Sequence, residues 1–406
     1  MYKNIILPAS LLVGTIIGAG IFALPFVFEK AGIVTGLFYL GLFSACFVFI
    51  HLMYADLILK TEGGKNLHRF PGYAKIYLGS WGFWSAILTT IIGMLFVLTV
   101  YLILSVSFVN LIKPIGLDIS DASKLLIFWL LGSAAIFLGI RRLAFSEFLI
   151  TGGIIVIILI IFGYGLGHFG KIISVPIFNL QNIFLPYGAV LFALSGRVAI
   201  PAVVSYFQKI KPGSEISAGS AKSGTKMQSA EILLPGRRPL DYLKKSIVLG
   251  TLLPALVYLL FVFGIWGLSE IISEDAVSGL VGQIPKEILA LIGVFGLISL
   301  WSSYIVIGLD IKNSLKFDLK FPKILAGLAV VVLPPLIYFW GFQSFLTLVS
   351  LIGGIFIALE GIFIVLMWLR ARKMKSEEVI FKKLNPLIIY ALIMIFIGGI
   401  IYEIIY

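Results

Sequence analysis

Gly14-Thr-Ile-Ile-Gly18-Ala-Gly20-Ile-Phe-Ala-Leu-Pro25 lies in the middle of the first long apolar segment, residues 5–28. Three glycines and a proline do not belong inside a helix that must satisfy its own hydrogen bonds in hydrocarbon. There every unpaired amide or carbonyl is costly, so irregular backbone survives only where protein buries it or where it lines a cavity. The amides freed at Gly18, Ala19 and Gly20 suit an anionic group, and the carbonyls freed just before them suit a cationic one. The stretch therefore reads as half of a solute site within a membrane.

Composition supports that setting. Of 406 residues 60% are hydrophobic and only 12% charged, with a mean hydropathy of +1.11. No soluble core needs so much apolar surface. Apolar runs of about 20 residues, long enough to cross a bilayer, recur from end to end. They fall near 5–28, 33–58, 80–112, 124–140, 147–167, 184–206, 246–268, 287–309, 324–340, 344–369 and 386–405. The expected fold class is all-α and polytopic, with about eleven spans in one domain. A barrel is disfavoured because the runs are continuous rather than alternating. The first segment does not read as a cleaved signal, since no small-residue cleavage site separates it from the next span. The single cysteine, Cys46, excludes an internal disulfide and a cysteine-based metal site.

The net charge of +12 is an orientation signal. Alternate connections carry 25 Lys and Arg on one side and 5 on the other, with Arg197 left inside a span. The positive-inside rule places the richer set, and the N-terminus, in the cytoplasm of a cell-membrane protein; the C-terminus is then extracellular. The charge thus has no need of a nucleic-acid partner. The longest connection, 207–245, is expected to be a cytoplasmic loop with a flexible Ser/Gly/Lys-rich middle at 212–230. The stretch 269–286 is expected outside, with a short lid helix.

A second interrupted segment matches the first. Gly196-Arg-Val-Ala-Ile-Pro201 aligns with Gly20-Ile-Phe-Ala-Leu-Pro25, and five spans separate them. The two copies therefore cross in opposite directions. Broken helices at corresponding places in oppositely oriented halves point to a transporter site. The halves run about 5–167 and 184–369, with 386–405 as an extra helix.

The first stretch resembles the G-x-I-G-x-G-I-x-x-L-P signature of the amino acid–polyamine–organocation superfamily. The nearest likeness is to its amino acid/auxin permeases and hydroxy/aromatic amino acid permeases. Ser302-Ser-Tyr-Ile-Val-Ile-Gly-Leu-Asp310 is similar to a Ser/Thr-Ser-Phe-x-x-x-Gly-Leu pattern of those families. The resemblance rests on three short motifs and extends over spans one to ten. It implies a LeuT-type five-plus-five inverted repeat with helices 1 and 6 broken. Two departures stand out: Ala202 follows the span-six proline where many relatives are acidic, and Arg197 is unusual in an unwound segment.

A zwitterionic amino acid suits two broken helices. Its carboxylate is expected on the amides of Gly18, Ala19 and Gly20, and its ammonium near the carbonyls of Phe192, Ala193 and Ser195. Thr15, Phe22, Phe96, Gly196 and Arg197 complete the expected substrate set. Ser299, Ser302 and Ser303 share one helix face or lie beside it. With carbonyls of Gly14 and Ile17 the resemblance implies an oxygen cage for Na⁺ there, whereas a proton-coupled relative would keep the hydroxyls without the ion. No other cofactor is expected. Arg197 and Glu360 are the deepest charges, and a pair between them would serve as a gate, as an ion substitute or as a structural lock. Asp56, Glu147 and Asp310 are expected at interfacial helix ends, and His51 as a satisfied core histidine.

The function expected is ion-coupled uptake of neutral or aromatic amino acids by alternating access, through Na⁺ or H⁺. The alternative is an amino-acid-binding membrane sensor that moves nothing. An enzyme is disfavoured, because His51, His68 and His168 form no metal-ligand spacing and no G-x-x-x-x-G-K-S/T loop is present.

Overall fold

The computed structural model describes residues 2–61, 68–112, 120–138, 144–167, 175–209, 237–374, 380–381 and 384–405. The middle of the expected cytoplasmic loop and His168 lie outside these residues, as do the side chains of 144–151 and hence Glu147. Among the described residues, eight helices are long and apolar enough to cross a membrane, one bent helix pair crosses together, and two shorter helices are apolar. These are the eleven segments marked by hydropathy.

The first span is two helices. α1, Leu7–Ile16, stops where Ile17 turns to ψ 96°, and the chain resumes after Gly18 as a 3₁₀ turn over Ala19–Ala23 and then α2, Leu24–Ala31. The axis bends by 54° at the break. Pro25 sits at the start of α2, where its missing N–H costs nothing. α3 is Ile33–Lys60 and α4 is Phe70–Leu111. α4 carries a kink at Gly79 (φ 77°), a backbone conformation open to glycine, next to the start of the apolar segment 80–112. α5 is Asp121–Leu138 and α6 is Ala144–Leu166.

The sixth span repeats the pattern of the first. α7, Pro186–Leu194, ends at Ser195 (ψ 120°); a 3₁₀ turn over Arg197–Ala199 leads into α8, Ile200–Lys209. α9 is Arg237–Leu268, α10 Lys286–Phe317 and α11 Lys323–Phe339. The tenth span starts as α12, Phe345–Leu351, loosens into a π-helix at Ile352–Ile357, and continues as α13, Ala358–Met374; α14 is Pro386–Ile405. Between α9 and α10 the described chain forms a 3₁₀ turn at Ser278–Leu280 rather than a lid α-helix.

Two groups of helices share contacts. The broken first and sixth spans pack with α3 and α9, and α4, α5, α10 and α11 pack with one another. Small residues set the close approaches. A Cβ at Gly264 would lie 2.9 Å from the Phe162 backbone, a Cβ at Gly165 would meet the Gly264 backbone and one at Gly267 would meet the Gly165 backbone, all across the α6–α9 seam. Such seams hold membrane helices together where apolar burial supplies no drive.

Asp56, expected at an interfacial helix end, is instead engaged inside. The Asp56 carboxylate is fully buried and accepts from Trp368 Nε1 and from the Ile380 amide, both at 2.7 Å, with Lys60 Nζ at 3.2 Å. It ties α3 to α13 and to the chain beyond it, a long-range match that hydropathy does not encode. His51 Nδ1 lies 2.9 Å from Thr251 Oγ1, which itself donates to the Ile247 carbonyl. The imidazole therefore carries its proton on Nδ1. Among the described residues Nε2 has no partner, so the histidine is only half satisfied there.

Candidate functional site

The two breaks meet. A Cβ at Gly20 would sit 2.5 Å from Ala193 Cα, so only glycine lets the backbones touch there. Tyr258 Oη, on α9, lies 2.7 Å from the carbonyl of Ile16 and 2.7 Å from that of Ala193. One hydroxyl proton is thus shared between the ends of α1 and α7. Beside the contact lies a cavity of about 200 Å³.

Among the described residues the first break leaves backbone donors without partners. The Ile17 amide still bonds Val13, and the next bonded amide is Ile21, to Gly18. Gly18, Ala19 and Gly20 fall between them at the N-terminus of a 3₁₀ turn, and all three line the cavity. At the second break the amides of Gly196, Arg197 and Val198 fall between Ser195, bonded to Phe192, and Ala199, bonded to Gly196. The end of one half-helix and the start of another, each carrying a partial charge, therefore open on one space.

The charged members of the site converge from three spans. Arg197 is 8% exposed, and its Nε and Nη2 each donate at 2.7 Å to the two carboxylate oxygens of Glu360 on α13. Thr90 Oγ1, on α4, donates to Glu360 Oε1 at 3.2 Å. The Phe70 ring lies under the guanidinium at 4.3 Å, a cation–π contact. Planar bidentate geometry is what arginine offers and lysine does not. Asp310, on α10, also lines the cavity.

Most of the expected set lies here: Gly14, Thr15, Ile17, Gly18, Ala19, Gly20, Phe192, Ser195, Arg197, Ser299, Ser302, Ser303 and Glu360 all line the cavity. Four do not. Phe22 is turned by the 3₁₀ segment to pack edge-on against Phe108 and Phe261, beside a separate void. Phe96 packs on Phe342 and Phe356 behind the wall. The Ala193 backbone is pressed against Gly20 and its carbonyl is taken by Tyr258. Gly196 is packed on Ile16 and Leu12. Thr15 lines the cavity, but its hydroxyl donates to its own helix at Leu11, 2.9 Å away.

Sequence reasoning missed Thr90, Tyr101, Asp310 and Phe356, all of which line the cavity. Thr90 and Tyr101 sit in an unbroken apolar helix with no local mark. Asp310 falls at the apparent end of the apolar segment 287–309, which marks it as interfacial, whereas α10 runs on to Phe317.

A helical membrane carrier with two apposed broken helices is the class these features define, and the fold is LeuT-type. Its likeness spans whole chains. The structure of MhsT in complex with L-phenylalanine matches at a TM-score of 0.66 and 14% identity, over 100% of this chain and 98% of that one. Mhp1, a nucleobase-cation-symport-1 family transporter, matches in a closed conformation with bromovinylhydantoin bound at 0.59 and 16%, over 98% and 90%. Its inward-facing conformation matches at 0.60 and 13%, over 98% and 88%. No curated protein sequence matches the chain significantly. Residues 1–211 match the tryptophan/tyrosine permease family, and the chain belongs to that family. It is a multi-pass membrane protein, a secondary transporter of amino acids and not an enzyme.

Proposed function

We propose that the protein takes up aromatic or other neutral amino acids by ion-coupled alternating access. The observation that carries this reading is the meeting of the two breaks at one cavity. Free amides at Gly18, Ala19 and Gly20 are placed to receive a carboxylate. An ammonium would find the end of α7 around Phe192 and Ser195; Ala193, with its carbonyl engaged, is not part of that set. Phe192 and Phe356 with Val97, Met94 and Ile352 offer an apolar wall for a side chain. Arg197 does not hold the substrate carboxylate in this reading, because Glu360 already occupies its fork. The pair works as a gate that opens and closes with the rocking of the first, second, sixth and seventh spans against α4, α5, α10 and α11.

Na⁺ is one candidate for the coupling ion, and the residues present fit it. Ser302 Oγ is buried with no hydrogen-bond partner among the described residues, beside Ser299, Ser303, Gly14 and Ile17 in the same cavity wall. A hard cation would satisfy that hydroxyl. H⁺ is the other candidate. The N-terminus is assigned to the cytoplasm and the C-terminus to the outside, on the loop charge bias.

Purified protein in liposomes tests the whole reading. Uptake of tyrosine, tryptophan, phenylalanine and leucine should exceed equilibrium under an inward Na⁺ or H⁺ gradient. Counterflow of the labelled substrate should persist without either gradient. Binding with no counterflow would replace the carrier with a sensor.

A further inference from the structure

We infer that Asp310 is the carboxyl that binds and releases a coupling proton. This rests on the carrier reading above and deepens it. The cavity is lined by one arginine and two carboxylates. Arg197 is paired with Glu360, its Nε and Nη2 donating to both oxygens of the acid. Arg69, at the start of α4, goes to Asp318 beyond the end of α10, at 3.3 Å. Asp310 is left out: among the described residues no hydrogen bond or ion pair reaches it.

The charged groups that act on Asp310 are Arg197 from the second break, Arg69 from α4, Asp318 from its own helix end and Glu360 from α13. Two cations and two anions, each already paired with the other, leave one net negative charge at Asp310. Lys312, two residues on, is turned away to the Ile136 and Phe137 carbonyls at the end of α5. A lone carboxylate in a cavity that must close around its cargo is costly unless neutralised. Asp310 is also separate from the hydroxyl cluster. It lies seven residues beyond Ser303, about 10 Å along the helix at 1.5 Å per residue. A cation among the serines would not neutralise it directly.

The cycle balances simply. With the cavity open to the outside, hydronium gives a proton to a carboxylate oxygen of Asp310, forming the neutral acid and water. With the cavity open to the cytoplasm the O–H bond breaks and the proton leaves to water. One proton accompanies each zwitterion, so each inward step carries one positive charge.

The test compares wild type, Asp310→Asn and Asp310→Glu in sodium-free liposomes. With acid outside, wild type and Asp310→Glu should accumulate labelled amino acid several-fold over equilibrium. Asp310→Asn should show no accumulation, and its counterflow should lose the pH dependence that wild type and Asp310→Glu show. Wild-type accumulation by Asp310→Asn would overturn the assignment. So would loss of its counterflow together with accumulation, which would make Asp310 a binding or packing residue. Infrared difference spectra between low and high pH give a readout that needs no transport. A protonated-carboxyl C=O band should appear in wild type and in Glu360→Gln and be missing in Asp310→Asn; its persistence in Asp310→Asn would also overturn the assignment. A wild type that moves no amino acid but shows this band would sink the carrier reading and leave the proton site standing.

Discussion

Tyr258 has one hydroxyl proton and two carbonyls to serve. Its ring is fully buried on α9, and among the described residues no other donor reaches the carbonyls of Ile16 and Ala193 at the ends of their helices. Tyr258→Phe keeps the shape and strands both acceptors. Each buried unsatisfied group costs about 1–3 kcal/mol. The expected result is a lower melting temperature in detergent and at least a tenfold loss of uptake, read by thermal unfolding and liposome transport. Arg197 and Glu360 pose the same question for charge. Removing one partner leaves the other buried and unpaired, at a cost of about 3–5 kcal/mol. Arg197→Gln should abolish uptake, and Glu360→Gln should do the same; normal uptake by Arg197→Gln would exclude a functional role for the pair. Phe22, Phe96 and Ala193 show why residue roles were only partly legible. Their types fit a substrate pocket, but the direction of a side chain past a break depends on how the 3₁₀ turn rotates the chain. Nothing local to the sequence sets that rotation.

At the scale of elements, the breaks themselves were legible. Glycine and proline act on the backbone within a few residues, so Gly18 and Ser195–Gly196 could be located before any packing was known. How closely the broken elements approach was not. Gly20→Ala places a methyl 2.5 Å from the Ala193 Cα, a backbone atom that cannot swing aside. Such overpacking costs about 1–3 kcal/mol. Substrate affinity should fall at least tenfold in an equilibrium binding assay, since parting the breaks also spoils the alignment of the Gly18–Gly20 amides. Gly79 supplies a contrast. A Cβ there meets nothing within 4 Å, yet φ is 77°. Gly79→Ala should lower stability by about 1–3 kcal/mol through backbone strain alone. Its effect on uptake should be small, because Gly79 itself does not line the cavity; a large transport defect with unchanged melting would contradict this.

For the molecule as a whole, the topology can be tested cheaply. Cys46 is the sole cysteine and is buried, so single introduced cysteines can be labelled against a silent background. An impermeant maleimide on intact cells should modify Glu274→Cys, between α9 and α10, and spare Lys316→Cys near the end of α10. The reverse pattern would invert the assigned orientation. Two helix groups flank the cavity, and Asp56 fastens α3 to α13 from the far side. Asp56→Asn keeps an acceptor for Trp368 but removes the countercharge of buried Lys60. It should destabilise the protein in thermal melts without altering substrate selectivity in the uptake panel.

Hydropathy, charge bias and the placing of glycine and proline determined the all-helical membrane class, the eleven apolar segments and the positions of both breaks. Each follows from free energies that act over one span or one turn: transfer into hydrocarbon, and the loss of a helical hydrogen bond. Only the tertiary structure decided which groups share the cavity. Thr90 and Glu360 are 270 residues apart and Arg197 and Glu360 are 163 apart; Asp310 reaches the same cavity from yet another span. Helix rotation and packing bring them together, and those are settled by contacts across the whole chain.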